Sequence, residues 1–200
     1  MVGLFYNTGV IDQLQAGDAL VVVDIQKDFC PGGALAVPAG DEVVPVLNRW
    51  IEQAERVGAT VVLTRDWHPP DHCSFKDQGG PWPTHCVRGT EGAEYHPDLR
   101  IPPGSIGVDK ATEPDRECYS DFVGTTLGKQ LREKHIKRLW VGGLALDYCV
   151  RATVLEALAE GFEVHLLRPA TRAVELTPGD GRRAIAEMLA AGASIEETAS

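Results

Sequence analysis

Apolar positions along this chain change rhythm at regular intervals. Ala19-Leu20-Val21-Val22-Val23-Asp24-Ile25 is a nearly unbroken run rich in β-branched residues, which predicts a strand buried on both faces. From Asp41 to Val57 the apolar residues return at helical spacing, with Val43, Val46, Leu47, Trp50, Ile51 and Ala54 on one stripe. Gly58 closes that helix, as glycine commonly does just past a helix C-terminus. Thr60-Val61-Val62-Leu63-Thr64 predicts a second buried strand.

The rhythm is lost from Asp66 to Pro103, a stretch rich in Pro, Gly, His and Trp. A connection this long inside a compact domain points to function, and most of the histidines lie in it. Beyond it the pattern predicts strands at Ser105–Asp109, Arg138–Gly143, Phe162–Leu167 and Ala193–Ile195. Helices are expected near Thr126–Glu133, Tyr148–Glu160 and Asp180–Leu189. Strands alternating with amphipathic helices give right-handed crossovers. The expected fold is therefore one α/β domain over residues 1–200, three-layered α/β/α, with a mainly parallel sheet of about six strands. Residues 1–17 read as an N-terminal extension.

Composition narrows the function. With 44% hydrophobic residues, 200 residues can build a sizeable core, and a net charge of −10 disfavours a phosphate-backbone partner, so no nucleic acid is expected. No apolar stretch approaches the ~20 residues of a membrane span, and no signal-peptide pattern opens the chain. A cytoplasmic protein without a membrane partner is expected; a homo-oligomer stays open. The five cysteines, Cys30, Cys73, Cys86, Cys118 and Cys149, form no CxxC pair, so neither a zinc ribbon nor a disulfide framework is supported.

In open parallel sheets, ligands bind beyond the carboxyl ends of the strands. The expected strand ends deliver Asp24, Asp66 with His68, Lys110, and then Asp147 with Cys149. Cys149 follows a Gly-Gly turn at the expected start of a helix, where backbone amides lower a thiol's pKa; a small buried hydrophobe is the plainer account. Asp24 ends an apolar strand and needs a partner. An ion pair with Lys110 or a capped turn would satisfy it, and so would a general base oriented by that lysine. Asp66 and His68 fall on one face of an extended segment, and His85 can return to them from a proline-restricted loop. Such a set suits one divalent metal ion, with zinc, iron and manganese all compatible. His72 and His96 are further candidate ligands, each read more readily as a solvated loop histidine, and whether His72 is a fourth ligand stays open; His135 and His165 read as structural. Phe29, Trp82 and Tyr119 could stack on a flat ligand or pack in the core.

Five segments match one family in order. Asp24-Ile25-Gln26-Lys27-Asp28-Phe29-Cys30-Pro31-Gly32-Gly33-Ala34-Leu35 resembles the opening signature of nicotinamidases in the isochorismatase-like hydrolase superfamily. Arg65-Asp66-Trp67-His68-Pro69 and Trp82-Pro83-Thr84-His85-Cys86 resemble that family's metal segments. Lys110-Ala111-Thr112 resembles its catalytic-lysine segment, and Gly143-Leu144-Ala145-Leu146-Asp147-Tyr148-Cys149-Val150 its nucleophile motif. The resemblance spans about Ala19 to Ile195 and implies hydrolysis of nicotinamide, and of pyrazinamide, to the acid and ammonia. It implies Asp24, Lys110 and Cys149 as catalytic residues and the N–H groups of Ala145 and Cys149 as the oxyanion hole, with Leu144–Ala145 cis. It further implies Asp66, His68 and His85 as metal ligands, and Phe29, Trp82 and Tyr119 around the pyridine ring. An N-carbamoyl amide hydrolase is the nearest alternative; those relatives share the triad without the metal cluster. One departure is Leu146, where the family usually has threonine.

Overall fold

The computed structural model describes residues 13–198, so residues 1–12 of the expected extension lie outside the described residues. Six strands, β1 (Ala19–Val23), β2 (Thr60–Asp66), β3 (Ile106–Lys110), β4 (Arg138–Gly143), β5 (Glu163–Thr171) and β6 (Ser194–Glu196), form one sheet in the order β3-β2-β1-β4-β5-β6. Every pairing is parallel. The helices are α1 (Val43–Val57), α2 (Leu127–Glu133), α3 (Arg151–Ala159) and α4 (Asp180–Ala190).

The alternation of side chains along each strand explains the two cores. Leu20 and Val22 of β1, Val61 and Leu63 of β2 and Trp140 of β4 pack with Val43, Leu47, Trp50 and Ile51 of α1. The intervening Ala19, Val21, Val23, Val62 and Val141 face α2, α3 and α4 through Leu127, Leu131, Val154, Ala157 and Met188. A strand buried on both faces must be apolar at every position, which is what the run Ala19–Val23 supplies. Each leucine or valine in it contributes roughly 1.5–3 kcal/mol by leaving water. Gly58, at φ +76°, closes α1 by donating to the carbonyls of Ala54 and Glu55.

The chain builds outward from β1 to β3, then returns to β1's other side and builds outward again from β4. The order reverses between β1 and β4, so a crevice opens beyond their carboxyl ends. Gly143 ends β4 there at φ +132°, and a Cβ at that position would overlap the Val23 backbone. Only glycine lets the two strands approach so closely at this point.

The boundaries depart from the sequence pattern in instructive ways. β1 stops at Val23 because Asp24 adopts a left-handed backbone (φ +50°) that turns its side chain out of the strand. β5 runs on to Thr171, beyond the expected end at Leu167. A register shift between Val141 and Gly143 accommodates Pro169, which cannot donate to a regular ladder. The helix expected over Tyr148–Glu160 is a π-helical turn, Leu146–Val150, leading into α3. The long connection from β2 to β3 carries 3-10 turns at Lys76–Gln78 and Glu91–Ala93, and is anchored by isolated bridges such as His68 to Val87 and Phe75 to Trp82. No helix among the described residues is long and apolar enough to cross a membrane.

Candidate active site

Lys110, the last residue of β3, pairs in register with Asp66, the last residue of β2. Its side chain is fully enclosed and makes three contacts. Nζ donates to Asp24 Oδ2 at 2.6 Å and to Asp66 Oδ1, and lies 3.5 Å from Cys149 Sγ. Carboxylate oxygens of Asp24 and Asp66 and the Cys149 sulfur all lie within 4.8 Å of one another. One ammonium thus joins three strand ends to the turn after β4.

Burial sets the electrostatics. It pushes the Asp24 carboxyl above its ordinary value, with Lys110 opposing and Asp66 adding to the effect, which makes Asp24 a stronger base. Burial also pushes Asp66 up, but the Lys110 ammonium outweighs it and holds Asp66 below the usual carboxylate range. Burial disfavours the charged form of Lys110, yet its two carboxylate neighbours keep it an ammonium ion. At Cys149 burial dominates over Lys110, so the thiol is raised well above its ordinary value. A helix start is expected to lower this thiol. Full enclosure beside two carboxylates reverses that expectation, so the proton must be removed by a neighbour.

Asp66, His68 and His85 bring one ligand atom each within 4.8 Å of the others, all three side chains being buried. The histidines are oriented for the task. His68 Nδ1 lies 3.3 Å from the Ala111 carbonyl and His85 Nδ1 lies 2.7 Å from the Pro83 carbonyl. A carbonyl can only accept, so these contacts place the proton on Nδ1 and leave each Nε2 lone pair free for a cation. Burial keeps His85 neutral. The donor set therefore fits a divalent metal ion. His72 is not the solvated loop residue that its sequence context suggested. It is 0% exposed, its ring lies against His68 at 4.2 Å, and its nitrogens already contact Ser74 Oγ and the Arg116 carbonyl. It stands outside the ligand cluster.

Phe29, Trp82 and Tyr119 line one cavity with Asp66, His85, Ala145 and Cys149. It is narrow, and about 350 Å³ of space free of atoms, part of it open to solvent, lies among these residues. Trp82 Nε1 donates to Tyr119 Oη at 2.9 Å, which fixes both rings. Two wider clefts open elsewhere on the surface, and neither is lined by Cys149. The Leu144–Ala145 peptide is cis, and the Ala145 N–H has no acceptor among the described residues.

Several residues that shape the site escaped the sequence reading. Tyr148 lines the cavity and packs edge-on against Trp82 at 5.0 Å. Thr64 Oγ1 donates to Asp24 Oδ1 at 2.8 Å. Gln26, fully buried, binds the Asp66 backbone at both its N–H and its carbonyl, and Asp28 Oδ2 accepts the Cys86 N–H at 2.7 Å behind His85. Their signal was weak, since each is an ordinary polar residue beside a motif. Asp147, expected at the rim, points away and accepts the N–H groups of Val174 and Glu175. Leu146 likewise leaves the cavity and joins the core beneath α4. His165 stacks on Trp140 at 4.3 Å, and His135 occupies the turn after α2. His96 is half-buried in the long connection.

Residues 18–200 match the isochorismatase domain. The nicotinamidase of Escherichia coli K12 is 41% identical over 198 residues, covering 88% of this chain and 93% of that protein. A crystal structure of the Pyrococcus horikoshii pyrazinamidase in complex with zinc superposes with a TM-score of 0.87 at 49% identity, covering 91% of this chain and 99% of that one. The PnC1 structure from L. infantum in complex with nicotinate gives a TM-score of 0.86 at 35% identity, over 92% of this chain and 95% of that one. With its sheet order, its rim of buried charges and these similarities, the chain belongs to the isochorismatase domain family.

Proposed function

We propose that this protein is a nicotinamidase, hydrolysing nicotinamide to nicotinate and ammonia and accepting pyrazinamide in the same cavity. The observation that carries the reading is the cavity lined by Cys149, Asp66, His85 and three aromatic rings, with Lys110 and Asp24 enclosed behind Cys149. The metal-type donor set favours it over an N-carbamoyl amide hydrolase, whose reaction needs no such cluster.

In the proposed reaction Asp24 takes the Cys149 proton as sulfur attacks the carboxamide carbon. Lys110 stays charged and holds the developing thiolate beside the base. The N–H groups of Ala145 and Cys149 receive the oxyanion; losing one such donor typically costs about 3 kcal/mol of transition-state stabilisation. Asp24 returns its proton to the leaving nitrogen, and ammonia departs. Asp24 then takes a proton from water as the oxygen attacks the thioester, releasing nicotinate and restoring the thiol. Phe29, Trp82 and Tyr119 sandwich the ring. Asp66, His68 and His85 would hold a divalent ion, with zinc favoured and iron or manganese compatible, whose chemistry is Lewis-acid anchoring of the ring nitrogen. Five cysteines, all free, support a reducing cytoplasm as the compartment.

Ammonia release from nicotinamide tests this directly, with Cys149→Ala and an N-carbamoyl substrate alongside. Turnover of nicotinamide that vanishes in the variant is expected. Turnover of the carbamoyl compound alone would reassign the cavity, and full activity in Cys149→Ala would end the thioester mechanism.

A further inference from the structure

One buried carboxyl near the triad takes no part in the steps above. Asp121 is 0% exposed. Its N–H donates to Thr153 Oγ1 on α3 at 3.1 Å, and its carbonyl accepts from Thr125 Oγ1 at 2.6 Å, so the backbone is tied from two sides. Neither carboxyl oxygen has a hydrogen-bond partner among the described residues. The hydroxyls of Thr64 and Thr153 are its polar neighbours, and the titratable groups acting with it are Asp24, Lys110, Cys149, Cys118 and Tyr95. An enclosed carboxylate without donors is strongly disfavoured. Burial first, and then the charge of Asp24, push Asp121 well above the carboxylate range, with Lys110 only partly opposing.

Thr64, whose hydroxyl acts on Asp121 from nearby, also holds the base. A threonine hydroxyl has one proton, and here it goes to Asp24 Oδ1 at 2.8 Å, while the oxygen accepts the Asp24 N–H at 3.3 Å. One lone pair remains on that oxygen. An ionised Asp121 would compete with Asp24 for the single hydroxyl proton. A protonated Asp121 does the opposite, offering a donor to the free lone pair and reinforcing the bond that Thr64 gives to Asp24.

We propose that Asp121 is a positioning residue for the amide hydrolysis: through Thr64 it holds Asp24 in the orientation of the base. This inference rests on the amidohydrolase reading and on Asp24 as the base within it.

Two measurements on the metal-loaded full chain test it. Infrared difference spectra between parent and Asp121→Asn should show loss of the C=O stretch of a protonated carboxylic acid; loss of carboxylate bands in its place would overturn the proposal. In steady-state assays, Asp121→Ala should lower kcat about tenfold with KM within about twofold, the size of one lost hydrogen bond to a charged chain. Asp121→Asn, which keeps shape and a donor, should recover most of that loss. Parent-like kcat in Asp121→Ala, or no recovery in Asp121→Asn, would overturn the role. If Asp121→Ala does not fold, Asp121→Leu decides: it keeps the bulk and removes the polar end, so kcat should fall with KM retained, and undiminished kcat would overturn the proposal. A parent that releases no ammonia from nicotinamide would defeat the functional reading, while the infrared band would still decide the protonation of Asp121.

Discussion

Gln26 and Asp66 exchange a reciprocal pair of hydrogen bonds: Gln26 Nε2 donates to the Asp66 carbonyl and the Asp66 N–H donates to Gln26 Oε1, both at 2.8 Å. The amide side chain thereby extends the β1–β2 pairing past the point where Asp24 turns away. It also binds the Ala93 carbonyl at 2.9 Å, tying the long connection to the strand ends. Gln26→Ala strands three buried backbone groups, so a loss of about 3 kcal/mol in urea unfolding is expected. Asp66 also loses its support, and metal affinity should fall about tenfold or more, as for other residues that orient a ligand from behind. A titration that finds parent-like metal binding in a folded Gln26→Ala protein would contradict this account.

Lys110→Ala leaves Asp24 and Asp66 buried and facing each other. Breaking an enclosed ion pair in this way costs roughly 3–5 kcal/mol. The pH dependence has a definite sign. In the parent, Asp66 is held below its unfolded value, so its stabilising contribution is present above the ordinary carboxylate range and is lost as pH falls through the folded pKa. Without the ammonium both carboxyls bind protons more tightly in the folded state than in the parent. The variant's deficit is therefore largest near neutral pH and shrinks on acidification. Urea melts of both proteins across the carboxylate range check this, and a deficit that widens in acid would refute it. Activity should be lost at every pH.

The sheet was readable because burial on both faces leaves an unmistakable apolar run, as in Ala19–Val23. The site was readable because strand ends in such a sheet converge, which puts Asp24, Asp66, Lys110 and Cys149 on one rim from sequence position alone. What stayed hidden depends on backbone geometry or on partners distant in sequence. Asp24 leaves β1 at φ +50°, which no apolar pattern encodes. Thr64 and Gln26 act across 40 residues on Asp24 and Asp66, and neither residue type announces that role. His72 shares its loop with solvated residues, and only the packing of that loop onto His68 buries it. Asp147 and Cys149 are two residues apart, yet the π-helical turn sends their side chains to different sides.

Tyr119→Phe removes only the oxygen that accepts the Trp82 indole N–H. The indole donor is then left partly buried without a partner, worth about 1 kcal/mol. Trp82 forms one wall of the cavity and touches no triad residue in the hydrogen-bond network, so the effect should fall on ring binding. A rise in KM for nicotinamide of about fivefold, with kcat nearly constant, is the expected outcome. A fall in kcat at constant KM would instead place Tyr119 in the chemical step.

His85→Ala separates the metal from the triad. His85 comes from the long connection, and its Nδ1 contact with Pro83 presents Nε2 toward Asp66 and His68. Removing it leaves two ligands, so stoichiometric metal should be lost on dialysis, while Cys149, Lys110 and Asp24 keep their contacts. Ligand-bound folded states gain stability by mass action, about 2.7 kcal/mol at a hundredfold excess over Kd. Chelation should therefore lower the parent's melting temperature, and it should leave His85→Ala where it was. Nicotinamide affinity should fall in the chelated parent and in the variant alike, because both lose the same anchor for the ring nitrogen. Alkylation of Cys149 by a small neutral reagent should proceed at a similar rate in both proteins. If chelation leaves melting temperature and nicotinamide binding untouched in the parent, Asp66, His68 and His85 are a buried polar cluster and hold no metal.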